Sequence, residues 1–317
     1  MHLAFLSLVK SAKMGLVVIM KNRLSILAIS SLFVVSLAGA QNPPQVPTAY
    51  SDAAKILGKA GSPNADGSYR INMPRVDVVF RNSSGMPIPA DLGLATYITF
   101  SQAGDSALAI GDVAMLEGEI DHVIDNLRRT NFEVVSIHNH MTSEEPRLFY
   151  VHFQRKGNPV ALAKDFKFVT DVLGHGEKRK IAPNVGKPKL DMPALSSVFG
   201  GQPQVFPSGV LRWANPRKDL AITLDDEKFL PGMGLGSWAA FTACECGLTM
   251  VMGDTACTRS DVQLVIDALR KGGIHITSIH HHVLGATTDT AFLHYEGEGD
   301  SLKLAATIKS AWSALGK

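Results

Sequence analysis

The chain has 317 residues, 45% hydrophobic and 19% charged, enough for one large or two ordinary domains and without the bias of a disordered chain. Its 31 basic and 29 acidic residues give a net charge of +2, but four of the basic and none of the acidic residues lie in residues 1–40, leaving 27 basic against 29 acidic in the remainder. Nothing in that balance argues for nucleic acid, whose binding needs concentrated basic surface, so no nucleic-acid partner is expected.

At the N-terminus, Lys21 and Arg23 precede an apolar run from Leu24 to Leu37, followed by Ala38-Gly39-Ala40. A basic start, an apolar stretch and a small-x-small site form the pattern of a secretory signal peptide. Residues 1–40 are therefore assigned to a signal, Met20 is an alternative start, and the expected location is periplasmic or secreted. The competing reading is a membrane anchor, for which the run is short against about 20 apolar residues.

Beyond the signal the chain repeats itself at an offset of 142 positions, from Gly67/Gly209 to Leu173/Leu315, with a one-residue slip near Gly93/Gly234. Such a fixed period marks a duplicated structural unit. Residues 41–173 form the first unit, 174–193 a linker and 194–317 the second. In the first unit Val76–Phe80, Ala95–Ser101 and Ala107–Met115 are rich in β-branched and aromatic residues and bounded by turn formers, so they read as strands. Glu117–Thr130 carries Ile120, Val123, Ile124 and Leu127 at helical spacing. Its copy carries Val262, Val265, Ile266 and Leu269 and stops at Gly272-Gly273. Glu119 and Asp261 put an acid in the first turn of both helices, where the dipole favours it.

Strands at Glu133–His140 and Leu148–Gln154 follow, joined by Met141–Arg147. A second helix begins at Asn158 as N-cap and Pro159 as first helical residue, with Gly174 past its end; Asp300 caps its copy. Each unit is thus roughly β-β-β-α-β-β-α. The fold class is α+β, two tandem homologous units with helices on one face of an antiparallel sheet.

Seven of the ten histidines after residue 40 fall in two clusters. His138 and His140 stand two apart on one strand, on the same face and about 6.6 Å apart. His152 lies on the next strand, which can face them in a hairpin. Three such imidazoles can hold a divalent metal, with zinc the first choice. Glu144 and Glu145 in the intervening turn are candidate ligands or acid–base groups, and Arg147 a candidate anion contact. The second cluster is His280, His281, His282 and His294, of which His280, His282 and His294 match the first three; Ala286, Thr287 and Asp289 replace Glu144, Glu145 and Arg147. The competing reading is a set of hydrogen-bonded structural histidines. Asp112 and Asp254, each after a glycine, read either as carboxylates orienting histidines or as turn residues.

Cys244, Cys246 and Cys257 have no counterparts in the first unit. Export permits a bridge from Cys257 to either of the others; buried thiols or a soft-metal site are the alternatives.

Together, Gly93–Phe100, Gly111-Asp112, the helix Glu119–Leu127, Ile137-His138-Asn139-His140, Glu145-Pro146-Arg147 and His152 resemble the LppY/LpqO family, secreted or lipid-anchored bacterial proteins with two copies of this unit. The resemblance implies a secreted bacterial protein and no particular reaction. Ala40 stands where a lipoprotein has its cysteine, so no membrane attachment is expected after signal cleavage. Three functional readings stay open on the residues alone. One is a metal protein extending to a metal-dependent hydrolase, with Glu145 or Glu144 as general base. Another is a non-catalytic binder of a small molecule or glycan, with Trp213 and Trp238 as contacts. The third is a cupin-like metal protein, against which the helix before His138-x-His140 argues.

Overall fold

A computed structural model describes residues 46–101, 106–174, 190–243 and 247–316. The first half runs α1 (Thr48–Leu57), β1 (Gly61–Pro63), β2 (Tyr69–Pro74), β3 (Phe80–Asn82), β4 (Pro87–Ile88), β5 (Ala95–Phe100), β6 (Ala107–Leu116), α2 (Ile120–Arg129), β7 (Glu133–His138), β8 (Glu144–Glu145), β9 (Leu148–Gly157) and α3 (Pro159–Thr170). The second half runs α4 (Met192–Phe199), β10 (Gln204–Val205), β11 (Leu211–Pro216), β12 (Thr223–Leu224), β13 (Glu227–Lys228), β14 (Gly236–Ala243), β15 (Thr249–Thr258), α5 (Asp261–Lys271), β16 (His275–His280), β17 (Thr290–Gly299) and α6 (Ser301–Trp312). Each half builds one antiparallel six-stranded sheet, in the order β1-β2-β5-β6-β9-β7 and β10-β11-β14-β15-β17-β16. The fold is the expected duplicated α+β arrangement, and two helix-covered sheets are not a cupin barrel.

Helices cover the outer face of each sheet. Leu162, Phe166 and Val169 of α3 and Val123 and Leu127 of α2 pack with Tyr50 of α1 on Ile71, Phe100, Val113 and Phe153. Leu195 of α4, Leu269 of α5 and Ile308 and Trp312 of α6 do the same on Trp213, Phe241 and Tyr295. Both expected caps form: Asn158 accepts from the Val160 and Ala161 N–H groups, and Asp300 accepts from that of Lys303.

The inner faces of the sheets meet, giving layers α, β, β, α. Leu94, Leu148 and Tyr150 pack with Val210, Ala240 and Met252, and Leu108 and Ile110 with Phe229, Met233 and Phe292. The halves are also latched reciprocally. Gln154 bonds the Leu284 N–H and carbonyl, and its counterpart Glu296 accepts from the Thr142 N–H and hydroxyl and from Ser143. Double coverage explains why β6 and β15 lack alternation: a strand buried on both faces is nearly continuous in small and apolar residues.

Three elements differ from expectation. Val76–Phe80 is not a strand, because Arg75 is drawn into the core, Asp77 follows to pair with it, and Val76 is left exposed between them. The strand lies earlier, at β2, where Arg70 and Asn72 interrupt the apolar signal. Helices α1 and α4 add to the expected elements, and α4 starts at Met192, inside the expected linker. Of that stretch, residues 175–189 lie outside the described residues, as do residues 1–40, Cys244 and Cys246. Cys257 is free and buried, with its Sγ 3.6 Å from the Thr255 carbonyl oxygen. Among the described residues no helix is long and apolar enough to cross a membrane.

A buried arginine ties the sheet to the helix start in each half. Arg75 donates to the Ala114 carbonyl and to Glu119 at 2.7 Å, and Glu119 also accepts from the Leu116 and Gly174 N–H groups. Arg217 repeats this with Ala256 and Asp261, whose carboxylate takes the Thr258 and Gly316 N–H groups. Removing one partner strands a buried charge. Arg75→Met is therefore expected to destabilise the fold by about 3–5 kcal/mol, read from urea unfolding; a loss below about 1 kcal/mol would contradict this account of the network.

Candidate metal centre

The six histidines of the two clusters' shared framework converge between the sheets, each at most 6% exposed. His138 ends β7, two residues before the strand end expected from sequence, and His140 follows it in a bend. His152 lies mid-strand on β9, directly across from Asp112 on β6 and Ser136 on β7. In the second half His280 ends β16, and His294 on β17 faces Asp254 and Ser278. Expected hairpin pairing thus puts His138 and His152 on one face, their ring centroids 4.8 Å apart.

The two trios interleave rather than forming separate sites. His138 stacks on its own counterpart His280 at 3.9 Å. His140 meets His294 at 4.0 Å, and the reciprocal pair His152 and His282 meets at 4.2 Å. A pseudo-twofold axis therefore passes through the cluster. His281 stays out, exposed, with its Nδ1 on the Thr290 carbonyl and 3.9 Å from Asp289.

Four of the rings have a fixed tautomer. The Nδ1 atoms of His140, His152, His282 and His294 lie 3.0–3.1 Å from the carbonyl oxygens of Gly93, Gly111, Gly234 and Gly253. A carbonyl can only accept, so each Nδ1 carries the proton and each Nε2 keeps a lone pair. Gly93 and Gly234 present these carbonyls from φ of +130° and +119°, where a side chain is strained. A Cβ on Gly93 would in addition collide with the Met252 methyl.

The carboxylates complete the arrangement. Asp112 Oδ2 lies 3.3 Å from His140 Nε2, 3.9 Å from His138 Nε2 and 4.0 Å from His152 Nε2. Asp254 Oδ2 lies 3.3 Å from His282 Nε2. Burial pushes both carboxyls up to about 6, against the opposing pull of His152 and His294. Burial holds the imidazoles down, His140, His152 and His282 to about 3 and His138, His280 and His294 well below 6.5, with repulsion among the rings adding to it. The rings are therefore neutral at physiological pH, the form that ligates metals.

Several polar atoms here have no protein partner. Of ten such buried side-chain atoms among the described residues, six are Asp112 Oδ1, both nitrogens of His138, His152 Nε2, Asp254 Oδ1 and His280 Nε2. Buried polar atoms left unpaired in one place call for a ligand or ordered solvent. Three sets bring ligand atoms within 4.8 Å of one another: His138, His280 and His294; His152, His280 and His282; Asp112, His138 and His152. These buried groups can hold a metal ion, and two of the sets draw on both repeats.

A cleft of about 690 Å³ leads to the cluster, reaching His140, His152, His282, His294, Asp112 and Asp254. Tyr97, Trp238, Arg70 and Arg212 also line it. The Glu144–Arg147 turn is elsewhere, and this corrects the expected acid–base group. Glu144 sits on β8, paired with Asn82 of β3, and its carboxylate accepts from the Leu148 N–H and lies 4.0 Å from Arg147. Burial raises Glu144 to about 7. Its charge is felt by Tyr150, which stacks on His140, but it contacts no imidazole. Glu145 and Arg147 are exposed. Trp213 is core, donating to the Gly201 carbonyl on the helix side. The acids that do reach the site, Asp112 and Asp254, had a signal in the register-matched Gly-Asp pair. Arg70 and Arg212 repeat at the same offset but were hidden in unrecognised strands.

Fold and site together define a duplicated α+β protein whose two sheets enclose a histidine–aspartate centre between the repeats. The chain belongs to the family described as Domain of Unknown Function (DUF1259), which matches residues 51–172 and 194–314. No curated protein matches it. Among solved structures it is similar to the trimeric bacterial microcompartment shell protein PduB, at 11% identity over 80% of this chain and 89% of that one, with a TM-score of 0.19. EtuB from Clostridium kluyveri gives 10% identity over 81% and 89%, also with a TM-score of 0.19. At such scores the likeness carries no argument.

The buried imidazoles make stability pH-dependent. Unfolded histidines protonate near 6.5, while His140, His152 and His282 resist to about 3 and the other three are also held well below 6.5, so the unfolded chain binds more protons in that window and stability falls as pH drops through it. Asp112 and Asp254 act oppositely: they protonate at about 6 when folded and 3.8 when unfolded, so their contribution is lost as pH rises between those values. Glu144 does likewise between 4.5 and about 7. Six rings outnumber three carboxyls. The urea midpoint of chelator-treated protein is expected to fall from pH 6.5 to 4, and to fall less in His138→Gln/His280→Gln; a flat wild-type profile would refute the assignment of neutral buried rings.

Proposed function

We propose that this protein is an exported binder of a divalent transition metal, zinc first, held where the two repeats meet. The observation that carries the reading is the concentration of unpartnered ligand atoms on His138, His152, His280, Asp112 and Asp254, beside rings whose Nδ1 protons are already committed to carbonyls. A mixed imidazole–carboxylate donor set suits zinc and its first-row neighbours. The signal-like first 40 residues and the LppY/LpqO resemblance support export.

When bound, such an ion supplies Lewis acidity, which extends the reading to a hydrolase. In that case Asp112 and Asp254 replace the turn glutamates as acid–base groups. Their carboxyls, raised to about 6, hold or release a proton at Oδ1 near neutral pH. Tyr97 and Trp238 shape the approach.

One observation favours a second reading, a non-catalytic binder of a small molecule or glycan: the aromatic walls at Tyr97, Phe206 and Trp238 offer stacking surface.

The test is metal analysis of the full chain purified without a polyhistidine tag. At least one divalent transition ion per chain is expected. Added zinc at a hundredfold over its Kd should stabilise the chelated protein by about 2.7 kcal/mol. His138→Ala/His140→Ala is expected to lose both responses. Absence of stoichiometric metal, with the wild type and the double variant responding alike to zinc, would sink the proposal. Ligand binding that survives chelation would favour the second reading.

A further inference from the structure

The cleft contains a second, separate chemistry at its mouth. Arg70 on β2 and Arg212 on β11 occupy the same position in the two repeats and project into the same cleft. Each lies against an aromatic ring, Arg70 3.5 Å from the Tyr97 centroid and Arg212 4.6 Å from that of Trp238. Each aromatic crosses to the opposite repeat. The Tyr97 hydroxyl approaches Gly234, whose carbonyl holds His282, and Trp238 approaches Gly93, whose carbonyl holds His140. The arginine charges accordingly act on His282 and His140 of the opposite halves.

These guanidinium groups differ from the duplicated pair that ties sheet to helix. Arg75 and Arg217 are each neutralised by two carboxylates. Among the described residues, neither Arg70 nor Arg212 forms an ion pair. Arg70 donates from Nε to the Asn72 side chain, and Arg212 donates to the Asp91 carbonyl while its Nε is buried without a partner. Tyr97 and then Asp112 favour the charge on Arg70, and Asp91 that on Arg212, with no carboxylate within ion-pair distance of either. Burial lowers both arginines, and mutual repulsion adds to it for Arg212, which falls to about 10. Asp66, Asp91, Asp112 and Asp254 also line the cleft, but among the described residues none lies within ion-pair distance of either guanidinium, and two half-buried forks left without a contacting carboxylate are open to an oxyanion.

We infer that Arg70 and Arg212 form an oxyanion clamp: the cleft takes a small molecule through a phosphate or carboxylate group held between the two guanidinium forks, above the histidine–aspartate centre. The aromatic rings fix each fork's plane, and the duplication places one fork on each side of the pseudo-axis. The clamp shares the cleft with the metal reading but not its evidence, and it does not require a bound ion.

The test is calorimetric titration of the full chain with inorganic phosphate and, separately, with succinate, at low ionic strength, before and after chelation. Saturable binding of at least one anion that persists after chelation is expected, and the stronger of the two identifies the group. Arg70→Met and Arg212→Met should each weaken it about tenfold or more, the loss of one or more charged hydrogen bonds, and the double variant should abolish it. Arg70→Lys keeps the charge but not the fork, and is expected to bind more weakly than wild type with the melting temperature unchanged; it serves if a methionine variant fails to fold. Lys156→Gln, on the surface, should bind normally. No saturable binding of either anion would overturn the clamp, as would equal binding by wild type and a folded double variant. Binding lost on chelation but insensitive to both arginines would place the anion on the metal, overturning the clamp while supporting the metal reading.

Discussion

Six imidazoles buried ring against ring between two sheets must all stay uncharged, and most of the centre's construction answers that constraint. A protonated ring here would lose hydration and be repelled by five neighbours. A neutral ring still has one N–H to place. Backbone carbonyls at Gly93, Gly111, Gly234 and Gly253 accept four of those protons, and two of the glycines reach the required backbone only at positive φ. The remaining rings, His138 and His280, stack on each other at the centre; among the described residues neither His138 nitrogen has a partner, and His280 Nδ1 lies 3.5 Å from the Ser278 hydroxyl. The lone pairs gathered this way point toward shared space with the Asp112 and Asp254 carboxyls, which is the condition for ligating a cation.

Duplication makes the centre possible. The distances across it agree in pairs, His138 to His294 at 5.3 Å and His152 to His280 at 5.2 Å. Each repeat supplies three of the six rings and one of the two aspartates, and the docking that brings them together is itself apolar, with one hydrophobic cluster on Leu148 and Met252 and another on Ile110 and Phe292. A polar centre enclosed by apolar packing is shielded from bulk water, which strengthens its electrostatics and raises the penalty for leaving its atoms unpaired.

The two halves are not equivalent. Tyr150 backs His140 where Phe292 backs His282, so only the first half adds a hydroxyl, 3.4 Å from the Gly93 carbonyl. The turn carrying Glu144 pairs with β3, and the matching turn of the second half makes the equivalent contact, Thr287 bonding the Thr223 backbone of β12, but with Ala286 and Thr287 in place of the two glutamates. These differences flank the centre without breaking the six-histidine framework. Divergence has fallen on the turns, and the strands that aim the rings have kept their register.

The sequence by itself determined what is local or periodic. The 142-residue repeat, the stripes of α2 and α5, the caps at Asn158 and Asp300 and the histidine trios could all be read because spacing along one element sets which side chains share its face. Tertiary structure decided which faces meet. A strand's period of two says that His138 and His140 lie together but not what they look upon, so the interleaving of His140 with His294 and His152 with His282 was invisible. Asp112 and Asp254 were ambiguous because β6 and β15, buried on both sides, show no alternation to reveal their inward face. Glu144, Glu145 and Arg147 were drawn to the site by proximity in sequence, while Arg70 and Arg212, more than fifty residues from the nearest clustered histidine, came to it only through the ordering of strands and the docking of one sheet on the other.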